Sequence, residues 1–418
     1  MKAYDYDVLF VGGGIAGLAC AALLRQQLRG RPQPLRIGIL EAQAPPPLAP
    51  DAPTGLRVFA ISPASRAILE AGGAWDAVPT DRRAAFERMR VWQAGGTPRG
   101  PGSLGFDAAE TGLRELGHIV EHDWLRQALW NELAGAGDAV TLLTGVAPAE
   151  LHQEPAAMSL RLADGALHRC RLLVGADGAD SWTRGQLRIA TNARDYGQLA
   201  LVGHVSSEKP HERTAWQCFT PEGPVALLPL ADGRSSLVWS CFEAGARELA
   251  ALPDAEFGAR LTAATAGVLG RLVPATRRLA VPLAASHTRR YTGPRFALIG
   301  DAAHQIHPLA GQGINLGLLD AAVLAETLAA HLLGTRLADP GDALVLRRYE
   351  RRRKGPNLLT MAAMEGLHRV FTSDWSALTR LATAGLGAVD RLPLLKRLLA
   401  DQATGANGSG AREHHASL

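Results

Sequence analysis

The stretch "VGGGIAGLACA" (Val11–Ala21) constrains this chain more than any other. Residues 4–11, YDYDVLFV, read as a short buried strand, and Ile15 to Leu28 read as an apolar helix. Leu35 to Leu40 read as a second strand ending at Glu41. Glycines between such elements specify a strand–helix–strand unit. Gly12, Gly14 and Gly17 fall in a G-x-G-x-x-G pattern. The first glycine permits a tight turn, the second lets backbone approach a pyrophosphate, and the third lets helix and strand pack closely. The helix N-terminus, with Ile15 and Ala16, then faces the phosphates with partial positive charge. Glu41 lies 24 residues past Gly17, where a ribose-binding carboxylate is expected. A carboxylate there accepts from both ribose hydroxyls and repels a 2′-phosphate, which favours FAD or NAD over NADP. The bland alternative is a glycine-rich turn with a solvated glutamate.

Two later stretches repeat the strand–turn design. In "GADGADSWTR" (175–184), Asp177 and Gly178 follow an apolar strand. They could brace a second loop over the same pyrophosphate, or Asp177 and Arg184 could form a surface ion pair. In "FALIGDAAHQIHPLAGQGINLGLLDAA" (296–322), Asp301 ends a strand and can accept from a ribityl hydroxyl. Gly311, Gln312 and Gly313 then turn into an apolar helix, whose free N–H groups would stabilise negative charge on a reduced flavin ring. A plain NAD dehydrogenase has no need of this late motif. His304 and His307 read as packed loop histidines, and no metal is expected, because no third ligand lies at a fitting spacing.

Bulk properties exclude other classes. The chain has 418 residues, 47% hydrophobic and 20% charged, and its net charge of +4 is small beside 44 basic and 40 acidic residues. No basic stripe interleaved with aromatics suggests nucleic acid. The four cysteines, Cys20, Cys170, Cys218 and Cys241, form no close pair, so neither zinc knuckle nor disulfide framework is expected. The N-terminus lacks the pattern of a signal peptide. The longest apolar helix candidate, Leu316–Leu333, is interrupted by Asp320, Glu326 and His331, so no membrane span is expected. The expected location is cytoplasmic.

The fold class that follows is α/β: a Rossmann-type FAD-binding domain, an inserted β-rich substrate domain and a helical C-terminal region. The FAD-binding domain takes residues 1–75, 111–184 and 286–345. The substrate domain takes 76–110 and 185–285, the latter rich in short alternating segments with turn signals. Helices are expected over 346–400, and a disordered Gly/Ser/Ala-rich tail over 401–418. Trp216, Phe219, Trp239 and Phe242 are the candidate substrate-facing aromatics, with ordinary sheet core as the alternative.

Three motifs now coincide in order: "GGGIAGLACA", "GADGADSW" and "IGDAAHQIHPLAGQGINLGLLDAA". Together they resemble the flavoprotein aromatic hydroxylases built like para-hydroxybenzoate hydroxylase. The third motif, "RRYERRRK" (347–354) and "LRVFAISPASRAILEAGGAWDAV" (56–78) look most similar to the ubiquinone-biosynthesis monooxygenases. The resemblance covers nearly the whole chain. It implies bound FAD, with Gly12, Gly14, Gly17 and Glu41 on the ADP half. It also implies Arg57 and Arg126 near the phosphates and ribityl chain, Asp301 on the ribityl chain, and Pro308, Gly311, Gln312, Gly313, Ile314 and Asn315 along the ring. "VEHDWLRQALW" departs from the family pattern, with His122 and Asp123 where Asn and Arg are expected.

The implied reaction is hydroxylation of a polyprenylated phenol by molecular oxygen, with NADH or NADPH as a transient co-substrate lacking its own nucleotide-binding domain. No acid–base residue is assigned. Three other readings share the motifs: a hydroxylase of a small soluble aromatic compound, a flavin-dependent isoprenoid reductase, and a non-catalytic flavin-binding scaffold. The cluster Arg347, Arg348, Arg351, Arg352, Arg353, Lys354 reads either as a solvated helix face or as contact with an anionic membrane surface or partner. Other ubiquinone-biosynthesis proteins and a second copy of the chain remain open as partners.

Overall fold

The computed structural model describes residues 4–306, 312–334 and 338–372. Its first unit is β1 (Tyr6–Val11), α1 (Ile15–Gln27) and β2 (Ile37–Glu41). There follow β3 (Val58–Ile61), α2 (Pro63–Ala71), β4 (Arg83–Phe86), β5 (Arg88–Gln93), β6 (Leu104–Asp107) and α3 (Ala108–Thr111). The chain then forms β7 (Gly117–Glu121), α4 (His122–Ala134), β8 (Val140–Thr144), β9 (Pro148–Gln153), β10 (Met158–Leu162), β11 (Leu167–Gly175) and α5 (Trp182–Gln186). Next come β12 (Thr191–Ser207), β13 (Thr214–Thr220), β14 (Gly223–Pro229), β15 (Ser235–Phe242), α6 (Glu243–Ala251) and α7 (Asp254–Ala264). The last elements are β16 (Leu272–Pro274), β17 (Leu279–Thr288), β18 (Thr292–Gly293), β19 (Phe296–Leu298), β20 (His304–Gln305), α8 (Gly313–Gly334) and α9 (Ala343–Thr372).

One sheet runs β18-β19-β11-β1-β2-β8, and β1 lies parallel to both β2 and β11. Its central strands are buried on both faces, which is why β1 reads as a continuous apolar run. Helices α1, α4 and α8 cover it, and the shared core joins Phe10, Leu18, Leu24, Ile39, Leu129 and Leu324. The 22-residue α8 is long and apolar enough to cross a membrane, yet it is packed mainly inside this core.

A second sheet runs β20-β17-β12-β15-β14-β13-β5-β6. The 76–110 segment is divided between sheets: β5 and β6 join this one, whereas β4 pairs with β7 in a small sheet with β3. Period-2 alternation separates the faces of the second sheet. Trp216, Trp239, Leu201, Leu227 and Leu237 point to one face and meet Leu249, Phe257 and Leu261 of α6 and α7. Those two helices were missed by the strand-only reading of 185–285. They exist because this apolar face needs cover, and "EAGARELAA" and "DAEFGARLTAA" are rich in good helix formers. The other face carries Ala215, Leu228 and Leu230 and packs on Val58, Ala60 and Ile119 of the small sheet.

The Ser-Pro-Ala-Ser segment (62–65) is a helix start. Ser62 caps α2 by accepting from Ser65 N at 3.2 Å, and Pro63 opens the helix. Of the expected C-terminal helices, α9 runs to Thr372; the remainder and the 401–418 tail lie outside the described residues.

Trp239→Ala removes a fully buried indole from the core under α6 and α7. It is expected to lower stability by about 3–5 kcal/mol, read by urea denaturation.

Candidate active site

A cleft of about 440 Å³ opens at the C-terminal ends of the parallel strands β1, β2, β11 and β19. This is where open α/β sheets bind ligands. Its floor is the β1–α1 turn. Gly12 has φ +104, and a Cβ there would lie 2.4 Å from the Ala176 carbonyl oxygen. A Cβ on Gly17 would lie 2.8 Å from the Gly12 carbonyl oxygen, and one on Gly13 would strike the Glu41 side chain. Gly14 caps α1 with backbone alone. Gly14, Ile15 and Ala16 line the cleft, whereas Gly17 serves the packing beneath it.

Glu41 lines the same cleft and is fixed on several sides. Its carboxylate accepts from Gly13 N at 2.7 Å and Gln43 N at 3.0 Å, and pairs with Arg126 at 3.3 Å. Arg126 also donates to the carbonyl oxygens of Gly13 and Gln43. It thus ties the glycine turn to the end of β2. Arg57 is exposed at the cleft, over Phe59. His122 lies beside it and pairs with Asp123; burial and nearby Arg57 lower its imidazole below the usual range.

Asp177 lines the cleft but spends its carboxylate on its own turn, accepting from Ser181 Oγ at 2.5 Å and Thr183 N at 2.8 Å. The alternative pairing with Arg184 does not form. Arg184 donates instead to the carbonyl oxygens of Ala179 and Ala302. Opposite, Asp301, Gly313 and Ile314 line the cleft. Burial raises the Asp301 carboxyl above its usual range, against the pull of His304 and Arg57.

Behind Asp301 lies a buried polar network with no counterpart in the sequence reading. Asp320 of α8 accepts from Gly300 N at 3.1 Å, His304 Nε2 at 2.5 Å, Arg353 Nε at 2.7 Å and Asn357 Nδ2 at 3.1 Å. Burial alone would raise this carboxyl; His304 and Arg353 outweigh it and hold it at about 2. His304 is therefore a packed histidine bonded to Asp320, and His307 lies outside the described residues. Among the described residues, no group of three His, Cys, Asp or Glu is placed to hold a metal.

Other expected residues have different places. Asn315 is buried and bonded to backbone, accepting from Ser62 N at 3.0 Å and donating to Ala60 O at 2.9 Å; it pins α8 to β3 rather than lining the cleft. Gln312 caps the first turn of α8 through its carbonyl oxygen. Pro308 and Gly311 lie outside the described residues. Trp216 and Trp239 belong to the core under α6 and α7, away from the cleft. Phe242 is exposed at a strand end, whereas Phe219 lies on the opposite sheet face with Val91, Leu104 and Met364. The sequence reading also missed Phe59, Gly300 and Gly317. The spacing in "GINLG" carried the signal for Gly317, which meets Gly300 and Ala16 at the crossing of α8 and α1.

In the basic cluster, Arg353 is buried, Arg352 pairs with Glu326 at 2.8 Å and Lys354 pairs with Glu350 at 3.5 Å. Arg347, Arg348, Arg351 and Arg352 keep the solvated face, Arg352 and Lys354 with acidic partners, and Arg353 alone of the six turns inward.

Solved structures share the whole architecture. p-Nitrophenol 4-monooxygenase PnpA from Pseudomonas putida superposes with TM-score 0.74 at 18% identity, over 96% of this chain and 98% of that one. HpxO from Klebsiella pneumoniae, complexed with FAD, gives TM-score 0.74 at 19% identity over 96% and 100%. The FAD binding domain profile matches residues 129–356. Fold and family match therefore define an FAD-binding protein.

Relatives narrow this further. The chain is 36% identical to 3-demethoxyubiquinol 3-hydroxylase of Escherichia coli, over 94% of this chain and 96% of that protein. It is 37% identical to ubiquinone hydroxylase UbiL of Rhodospirillum rubrum, over 96% and 89%. It is 34% identical to human mitochondrial ubiquinone biosynthesis monooxygenase COQ6, over 94% and 92%. The chain belongs to the family of FAD-dependent hydroxylases of ubiquinone biosynthesis.

The buried network supplies a pH signature. His287 touches Tyr291 next to it, and burial, with His304 and Lys354 nearby, lowers its imidazole from 6.5 to about 4. The unfolded chain gains a proton below about pH 6.5, while the folded one stays neutral until about 4. Stability is therefore lost as pH falls through that window. His287→Gln is expected to flatten that part of the profile, read by urea denaturation at stepped pH.

Proposed function

We propose that this enzyme hydroxylates the ring of a polyprenylated phenol, and that the cleft at the end of β1 holds its FAD. The observation carrying the site is the glycine cradle. Side-chain volume is barred at Gly12, Gly13 and Gly17 by close neighbours, while Gly14 is open towards the cleft. That arrangement fits backbone N–H donation to a pyrophosphate at the start of α1. Gly12, Gly14, Ile15 and Ala16 would take the phosphates. Glu41, steadied by Arg126, would take the adenosine ribose. Arg57 and Asp301 would take the phosphate–ribityl span, and Gly313 and Ile314 would border the ring. The Asp177 turn supports the cradle through backbone contact.

Bound FAD supplies electron transfer from a reduced nicotinamide and activation of molecular oxygen. The chain's own part is to bind, orient and keep water out. The N-terminus of α8, next to Gly313, supplies positive potential where negative charge collects. NADH or NADPH is read as a transient visitor, and no residue is assigned to it.

The names of the relatives support a ubiquinol-type ring with a lipid tail. The sheet face opposite α6 and α7 suits such a tail. Leu279, Val202, Val238 and Ala226 lie side by side across β17, β12, β15 and β14, all half-buried or exposed. This apolar row continues the face that meets the FAD-binding domain at Ala215 and Leu228. It takes over the role expected of the tryptophans. A small soluble substrate would not need it.

A lipid-tailed substrate also suits contact with the membrane surface. Arg347, Arg348 and Arg351 are exposed on α9 beside Leu344, Leu358 and Leu359, which are 66%, 45% and 63% exposed. Basic and apolar residues on one helix favour an anionic interface. Changing the three arginines to Gln is expected to abolish flotation with anionic liposomes; unchanged flotation removes this part of the reading.

The main test is the visible spectrum of purified protein, then anaerobic reduction by NADH or NADPH and re-exposure to oxygen with a polyprenylphenol. Flavin absorbance and hydroxylated product are expected. Hydrogen peroxide alone would count against the substrate. Gly14→Val and Asp301→Ala are expected to purify colourless. Yellow, fully loaded variants would remove these residues from the site.

A further inference from the structure

We infer that Arg353, on α9 and outside the cleft lining, is a positioning residue for the flavin: acting through Asp320, it fixes the Gly300–His304 turn and so places Asp301. This rests on reading Asp301 as a flavin contact.

The two oxygens of Asp320 divide the work. Oδ1 faces α9 and accepts from Arg353 Nε at 2.7 Å and Asn357 Nδ2 at 3.1 Å. Oδ2 faces the turn and accepts from Gly300 N at 3.1 Å and His304 Nε2 at 2.5 Å. Asp301 sits between those two donors in sequence and lines the cleft. Gly300 has φ +59, a conformation open to glycine, and its N–H is anchored on Asp320 Oδ2.

Asp320 is fully buried, and such a carboxylate is tenable only beside a matching cation. Arg353 supplies that cation with a side chain itself only 7% exposed. Its Nη2 reaches Leu316 O at 3.3 Å and Asn357 Oδ1 at 2.6 Å. The planar fork thus serves three acceptors at once, a geometry that Lys cannot reproduce. A role confined to stability would not require the carboxylate's second oxygen to hold the residues flanking Asp301.

Arg353→Lys keeps the charge while losing the fork. In full-length protein, FAD affinity is measured by fluorescence titration, and backbone hydrogen exchange is followed in residues 296–306. The expected result is about tenfold weaker FAD binding, the usual scale for outer partners of a binding group, with faster exchange in that segment. Arg352→Lys, on the exposed pair with Glu326, is expected to change neither. If Arg353→Lys does not fold, the double variant Asp320→Asn/Arg353→Met, which removes both buried charges together, is the test, with the same expected loss. A folded variant of either kind with wild-type FAD affinity and exchange overturns the inference, even if its melting temperature falls. Failure of the wild-type protein to bind FAD would instead overturn the reading of the cleft.

Discussion

The contact between Gly12 and the Ala176 backbone is the constraint on which the rest depends. A Cβ at Gly12 would overlap the Ala176 carbonyl, so the strand β11 can reach its position beside β1 only if that residue is glycine. Because the two strands register side by side, their loops, at Gly12 and Asp177, meet at one end of the sheet. Gly17 presses α1 against the same point. One missing side chain thus aligns a helix terminus, two turns and a cleft. Glu41 and Arg126 then brace the turn from the other side.

The second organising interaction is electrostatic. Asp320 and Arg353 place charge in the interior, with His304 as a further hydrogen-bond partner, an arrangement that is costly unless each group is satisfied. Here the cost is met by convergence: four donors from the turn, the loop and α9 meet on one carboxylate. Further along α9, Glu365 accepts from Tyr196 of β12 at 2.8 Å, and Met364 packs near Phe219. The same helix therefore reaches both the cleft-side turn, through Asp320, and the second sheet.

Much of this was legible because glycine spacing and strand-end acids report backbone geometry directly. Gly12, Gly14 and Glu41 line one cleft, and the tight turn that the glycine spacing implied is present at Gly12. Asp301 follows β19 and lines it too. What could not be read was the facing of side chains across the sheet. Trp216 and Trp239 carry the same local pattern whether they look towards a ligand or towards α6 and α7; only the pairing of strands decides. The same holds for Asn315, whose partners Ser62 and Ala60 lie more than 250 positions away. Arg353 looked like one of six equivalent cations because local charge pattern does not reveal that one arginine points inward to Asp320. The helices α6 and α7 were overlooked because the alternating strands around them dominated the pattern.

The strand order has a consequence for biosynthesis. β1 lies between β2 and β11, and β11 in turn leans on β19, so adjacent strands come from residues near 10, 40, 170 and 297. Chains leave the ribosome from the N-terminus at about 5–20 residues per second. The glycine cradle emerges well before its far wall at Asp301 and the cation behind it at Arg353. Until then the cradle has no opposite side, and β1 keeps an unpaired edge until β11 has emerged. The cleft is therefore complete only after Asp301 has emerged, and a chain cut short before α9 leaves Asp320 as a buried charge without its cation.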